Sequence, residues 1–154
     1  PYINEKGSRI MSLQNPSNKM SKSDENLNNI ISLLDSEKNI MKKINSAVTD
    51  SGKEIKTSSE KPGMTNLINM YSLLSNNSIR SIENQYIGNS YSEFKKDLAE
   101  IIIESLNPIK NKYNSIINDK DYLMNVLNNG ANLSKTIAFK TISKVYKKVG
   151  FIKG

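Results

Sequence analysis

Lys19 and Lys22 are separated by two residues in the run Asn18-Lys19-Met20-Ser21-Lys22-Ser23-Asp24-Glu25-Asn26. Two ammonium groups, the hydroxyls of Ser21 and Ser23, and the backbone N–H groups of a turn-rich loop form a donor set suited to a polyphosphate. The competing reading is a polar surface loop whose lysines face water, since short motifs often match by chance. The rest of the composition narrows the chemistry. The chain has no histidine and no cysteine. That excludes Ser-His and Cys-His nucleophile pairs, an imidazole general base, and zinc held by imidazole or thiolate. Any reaction must run on Lys, Arg, Asp, Glu, Ser, Tyr or backbone groups.

The elements that would position such a loop can be traced along the 154 residues. Ser8 to Leu13 is short, apolar and β-branched, and ends at Gln14-Asn15-Pro16-Ser17. It predicts a strand leading into a turn-rich loop, where open α/β sheets place their ligands. Asp35-Ser36-Glu37 offers cap chemistry to a helix with Ile40, Met41 and Ile44 on one face. After a linker over 51–63, the pattern is helical. Leu67, Ile68, Met70, Tyr71, Leu73 and Leu74 form an apolar stripe, and Ser78 to Tyr86 forms a second short helix closed by Gly88. Ser90 and Glu93 stand at capping-box spacing before a long stripe from Phe94 to Ile117, with a kink expected at Pro108. Two further helices are expected, Asp121 to Asn129 stopped by Gly130, and Leu133 to Val149 stopped by Gly150. The second would bury Leu133, Ile137, Ala138, Ile142, Val145 and Val149.

The expected fold class is mainly α: the end of a Rossmann-like α/β domain at 1–34, carrying the strand and the loop, followed by an all-α domain at 35–154. One strand and one helix cannot cover both faces of a parallel sheet. The chain also begins with Pro1. The expectation is therefore a C-terminal part of a larger protein, with residues 1–34 poorly ordered unless they dock.

Charge is unevenly spread over a chain of net +7. Residues 1–60 hold nine Lys/Arg against eight Asp/Glu, so nearly all the surplus lies beyond them. No acid follows Asp121, whereas Lys135, Lys140, Lys144, Lys147, Lys148 and Lys153 do. Such a segment attracts polyanions, or simply forms a solvated helix face. The longest apolar runs, such as Ile101-Ile102-Ile103, fall far short of the ~20 residues of a membrane span.

Lys19-Met20-Ser21-Lys22-Ser23 reproduces the KMSKS signature of class I aminoacyl-tRNA synthetases. Together with "GSRIMSLQNPSNKMSKSDEN", "KKINSAVTDS", "KPGMTNLINMYS", "FKKDLAE" and "KVYKKVGF", the chain resembles the C-terminal half of bacterial-type tryptophanyl-tRNA synthetases over nearly its whole length. Tyrosyl enzymes, which carry a KFGKS-like variant, rank below.

The resemblance implies a loop that closes over ATP, with Mg2+, while the tryptophan carboxylate attacks the α-phosphate. Lys19 and Lys22 match the lysines that hold the leaving pyrophosphate, and Ser21 and Ser23 match hydroxyl donors to phosphate. Met20 and Ile10 match the backbone and apolar surface offered to adenine, with Arg9 a weaker candidate. No metal ligand is expected. The helical part would bind tRNA(Trp), and the complete enzyme would be a cytoplasmic, or organellar, homodimer, with the chain alone expected as a monomer. The family's HIGH signature needs histidines that this chain lacks, and the tryptophan pocket belongs to the other half, so no tryptophan activation is expected of these residues alone. Two other classes stand beside this one: a stand-alone helical RNA-binding module, and a helical interaction domain whose charge serves solubility. Tyrosines 71, 86, 91, 113, 122 and 146 could stack on bases, but at helical spacing they are more often core-edge residues.

Overall fold

The computed structural model describes residues 9–151. Among these, regular structure consists of α1 (Glu37–Asn45), α2 (Pro62–Ser75), α3 (Ile79–Gln85), α4 (Tyr91–Asn118) and α5 (Lys120–Val149), preceded by one 3-10 turn at Leu27–Asn29. The chain divides into two compact units, one ending at Lys110 and one beginning at Asn111. α4 runs through the division.

In the first unit, local chemistry sets the helix starts. Ser36 Oγ accepts from Asn39 N–H, and Ser78 Oγ accepts from Ser81 N–H. At the head of α4 the capping box closes in both directions. Glu93 Oε2 accepts from Ser90 N–H at 2.8 Å, and Ser90 Oγ accepts from Glu93 N–H at 3.2 Å. The Ser90 N–H and the Ser90 hydroxyl, both donating to Oε2, hold the Glu93 carboxyl below its usual range. α2 begins with Pro62 in its first turn, where a missing N–H costs nothing. The turn after α3 places Gly88 at φ 83°, a left-handed conformation that glycine adopts freely.

The apolar faces of these helices meet in one core. Ile40 and Ile44 of α1, Met64 and Ile68 of α2, Ile82 of α3, and Phe94 and Leu98 of α4 are fully buried. At its centre Phe94 stacks on Tyr71, with ring centroids 5.7 Å apart, and meets Tyr86 edge-on at 5.1 Å. The Tyr86 hydroxyl donates to Asp97 at 2.6 Å. Burial, with Asp97 and Tyr71 beside it, pushes that hydroxyl far above the ordinary tyrosine range. Lys95 lies beside this core and is itself buried. Its Nζ donates to the carbonyls of Ala47 at 2.7 Å and Asn45 at 3.3 Å. It thereby satisfies orphan acceptors just past the end of α1.

Three expectations change. The strand expected over Ser8 to Leu13 is reduced, among the described residues, to one antiparallel bridge between Met11 and Lys19. A ladder needs several consecutive residue pairs between two strands, and here only one forms. Here one side is taken by the returning loop and the other by side-chain and loop groups. Gly130 does not stop a helix; α5 runs through it. Ala131, Asn132 and Leu133 continue the helix, so the glycine only weakens it, by about 1 kcal/mol relative to alanine. The face of α5 expected to be buried is open: Leu133 is 66% exposed, Ile137 61%, Ile142 45%, Val145 45% and Val149 55%. Periodicity defines which side is apolar and carries no information about what covers it.

The start of the described chain does dock. Leu13 is buried, its N–H donating to Asn29 O and its carbonyl accepting from Val48 N–H at 2.8 Å. Ser8 lies outside the described residues.

Candidate functional site

Residues 10–24 form a hairpin-like excursion from the first unit. Met20 N–H donates to Ile10 O at 2.9 Å and Ser12 N–H donates to Asn18 O at 2.8 Å, on either side of the Met11–Lys19 bridge. Ile10 and Met20, half-buried, pack against the core and anchor the two arms. Beyond Met20 the chain turns again, with Asp24 N–H donating to Ser21 O at 3.1 Å, so that Lys22 and Ser23 occupy the tip. Lys19, Ser21, Lys22 and Ser23 are exposed, as is Arg9 at the edge of the described chain. The hydroxyls of Ser21 and Ser23 are 3.0 Å apart and share a hydrogen bond.

Of the two acids that follow the lysines, Asp24 and Glu25, neither forms an ion pair with them among the described residues. Asp24 Oδ1 accepts from Asn26 N–H and its Oδ2 accepts from the Asn29 side chain, both at 2.9 Å. The ion pairs of the first unit lie elsewhere: Lys43 with Asp35 at 2.6 Å and Lys61 with Asp50 at 3.5 Å. Among the described residues neither Lys19 nor Lys22 has a charged partner. Two exposed ammonium groups, two hydroxyls and a tight turn on an apolar footing can receive an anionic ligand without first breaking a salt bridge. No group of three or more metal-binding side chains occurs among the described residues.

On another face of the first unit, the segment from Gly52 to Lys56, α3 and the loop into α4 enclose a groove of about 1110 Å³, whose lining includes Lys53, Lys56, Arg80, Tyr86, Ile87 and Tyr91. Two polar clusters hold its walls. The Tyr91 hydroxyl donates to Asp50 at 2.9 Å, and Lys61 Nζ donates to Glu54 O at 3.0 Å. Burial alone would raise the Asp50 carboxyl, but the Tyr91 hydroxyl, the Gly52 amide and Lys61 outweigh it and hold the carboxyl below its ordinary value. Thr57 donates both its N–H and its hydroxyl to Glu83 Oε1 at 2.7 Å. Those bonds likewise hold Glu83 low against the effect of burial.

The structure therefore brings Ile10, Lys19, Met20, Ser21, Lys22 and Ser23 onto one hairpin. Of the six tyrosines named above, Tyr71 and Tyr86 are buried, with their rings edge-to-face in the core. Sequence reasoning missed Asn66, Lys95 and the Asp50–Tyr91–Lys61 cluster. Asn66 had only a weak signal, an amide beside the apolar stripe that begins at Leu67, and Asn69 within that stripe offers the same one. Lys95 had none, because one lysine beside another reads as surface.

Comparison with known proteins gives consistent matches. The family described as tRNA synthetases class I (W and Y) matches residues 3–107. A tryptophan--tRNA ligase of Clostridium acetobutylicum is 44% identical over 151 residues, covering 98% of this chain and 45% of the relative. The crystal structure of tryptophanyl-tRNA synthetase from Mycoplasma pneumoniae is similar with a TM-score of 0.68 and 31% identity, over 97% of this chain and 45% of that one. That of Campylobacter jejuni tryptophanyl-tRNA synthetase complexed with ADP and tryptophan reaches a TM-score of 0.75 at 27% identity, over 96% and 45%. The chain thus spans about half the length of the relatives it matches.

Proposed function

Since this chain belongs to the class I tRNA synthetases of the tryptophan and tyrosine type, we propose that it supplies the ATP-phosphate loop and the tRNA-binding helices of a tryptophan--tRNA ligase. In that reaction a carboxylate oxygen of L-tryptophan attacks the α-phosphorus of ATP. The bond from the α-phosphorus to the bridging oxygen breaks, giving tryptophanyl-adenylate and pyrophosphate, and tryptophan then passes to tRNA(Trp). The tryptophan identity rests on the 44% match to a tryptophan ligase and on the KMSKS spelling at 19–23.

The observation that carries the proposal is the state of the two lysines. Both ammonium groups are exposed on the hairpin, while the neighbouring carboxylate of Asp24 is bonded to Asn26 and Asn29. As the α-phosphorus–oxygen bond breaks, negative charge accumulates on the departing β- and γ-phosphates, and Lys19 and Lys22 neutralise it there. Lysine suits this task because a compact charge on a flexible stem follows tetrahedral oxygens without requiring a planar fork. Ser21 and Ser23 add hydroxyl donors. Ile10 and Met20 offer backbone and apolar surface to the adenine, and Arg9 adds a cation at the same edge. Mg2+ enters as part of the nucleotide substrate.

In this reading, residues 1–34 are the end of the catalytic domain and 35–154 the tRNA-binding domain, whose basic surplus favours phosphate contacts that weaken with salt. The complete enzyme is a homodimer of the cytoplasm. No described helix is long and apolar enough to cross a membrane.

The test is tryptophan-dependent ATP–pyrophosphate exchange by the longest polypeptide encoded in the reading frame that holds this chain. Lys22→Ala is expected to lower its kcat by about 10²–10³-fold, the size of effect seen when one preorganised transition-state donor is removed. Tryptophan affinity should stay unchanged. A folded wild-type protein without exchange activity would refute the proposal.

A further inference from the structure

We propose that Asn66 is a positioning residue for the phosphate loop: its carboxamide, mounted on α2, fixes the backbone of Met11 and thereby the place of Lys19. The inference rests on the role given to Lys19 and Lys22 above.

Asn66 is buried, 4% exposed, among Met64, Leu67 and Ile68. Its Oδ1 accepts from Met11 N–H at 2.9 Å and its Nδ2 donates to Met11 O at 2.9 Å. One carboxamide thus provides the pair of bonds that a neighbouring strand would provide. On its other edge Met11 bridges to Lys19, flanked by the bonds Ser12–Asn18 and Met20–Ile10. The order is continuous: α2, Asn66, Met11, Lys19. The mount is stiff. Gly63, in the first turn of α2, lies so close to the chain after α1 that a Cβ there would come within 2.2 Å of Val48 O. Without the carboxamide, both polar groups of Met11 lose their partner against the core. The arm would then be tied to the rest of the unit only past Met11, by Leu13 to Asn29 and Val48 and by Gln14 to Ser46.

The residue before Asn66 makes the same kind of clamp on a different segment. Thr65 Oγ1 accepts from Ser58 N–H and donates to Ser58 O, both at 3.0 Å. Ser58 follows the segment that walls the groove, not the lysine hairpin. Thr65 is therefore a matched control: it also makes two bonds to one backbone residue, from the same helical turn.

In the full reading-frame protein, Asn66→Ala is expected to lower kcat for exchange by about 10- to 100-fold, the cost of a misplacement of about 1 Å. KM for tryptophan should move less than about twofold, because Lys19 acts on the leaving group and not on amino-acid binding. Thr65→Val should change kcat by less than about threefold. Hydrogen exchange gives a second readout independent of catalysis: the amides of Ser12 and Met20 should exchange at least about tenfold faster in Asn66→Ala, with those of Ile44 and Leu98 unchanged. Asn66→Ser serves the same comparison if the alanine variant does not fold. Equal losses of kcat in the Asn66 and Thr65 variants, or unaltered exchange at Ser12 and Met20, would overturn the proposal. If the wild-type protein lacks exchange activity, the functional reading fails, and the amide measurement still decides whether Asn66 holds the hairpin.

Discussion

The two units of the chain are held together in different ways. In the first, side chains tie together segments far apart in sequence: Asn66 to Met11, Lys95 to Ala47, Tyr91 to Asp50, Glu83 to Thr57. Among the described residues of the second, several bonds are local. Asp119 caps Tyr122, Thr136 and Thr141 bond back one turn to Asn132 and Ile137, and Phe151 N–H closes onto Tyr146 O past Gly150. α4 displays both regimes in one helix. Phe94, Leu98 and Ile102 are buried, whereas Ile109, Tyr113 and Ile117, on the same apolar stripe, are 43% to 48% exposed. The lesson is that the same pattern of apolar residues is buried along one stretch of α4 and open along the next, so the pattern alone does not fix burial.

The contrast breaks most easily at Phe94. Phe94→Ala removes the ring at the centre of the aromatic cluster and should destabilise this chain by about 3–5 kcal/mol, read from urea unfolding. Lys95→Ala should cost about 1–3 kcal/mol by leaving the Ala47 and Asn45 carbonyls without their buried donor. Lys95→Met, which keeps the alkyl stem, should recover only the packing part of that loss.

Acid provides a milder probe of the polar clamps. Asp50 and Glu83 are held below their ordinary values of 3.8 and 4.5. A depressed carboxyl contributes stability that is fully present above the unfolded value and is lost as pH falls through the folded one. Unfolding free energy should therefore be insensitive to these two groups above pH 4.5 and should decline below it. Asp50→Asn should flatten part of that decline below pH 3.8. The smallest effect belongs to α5. Ile137→Ala should change stability by no more than about 0.5 kcal/mol, as for other exposed positions. A loss above about 1 kcal/mol would mean that the face is covered in solution, and the contrast between the two units would need redrawing.

Much of the first unit was legible because its signals are local. Ser36, Ser78 and the Ser90–Glu93 pair mark helix starts through bonds to residues three positions away. That Lys19 and Lys22 share one exposed hairpin was legible because the two are close in sequence. The sequence was silent where geometry depends on distant chain. Nothing near Met11 indicates that its strand partner would be a side chain 55 residues away. Nothing near Lys95 marks it as a buried donor to the end of α1. Gly130 misled because glycine stops a helix only when the following residues leave helical geometry, which is a property of its neighbours.

The continuity of α5 through Gly130 has a mechanical consequence. At 1.5 Å per residue the helix is a rod about 45 Å long, and its soft point lies about 28 Å from the end. A bend of about 10° there would swing the tip, with Lys147 and Lys148, sideways by about 5 Å, close to the spacing of side chains one turn apart on a helix. The lone residue without a Cβ in that rod thus marks where its cationic end can swing while the helix stays intact.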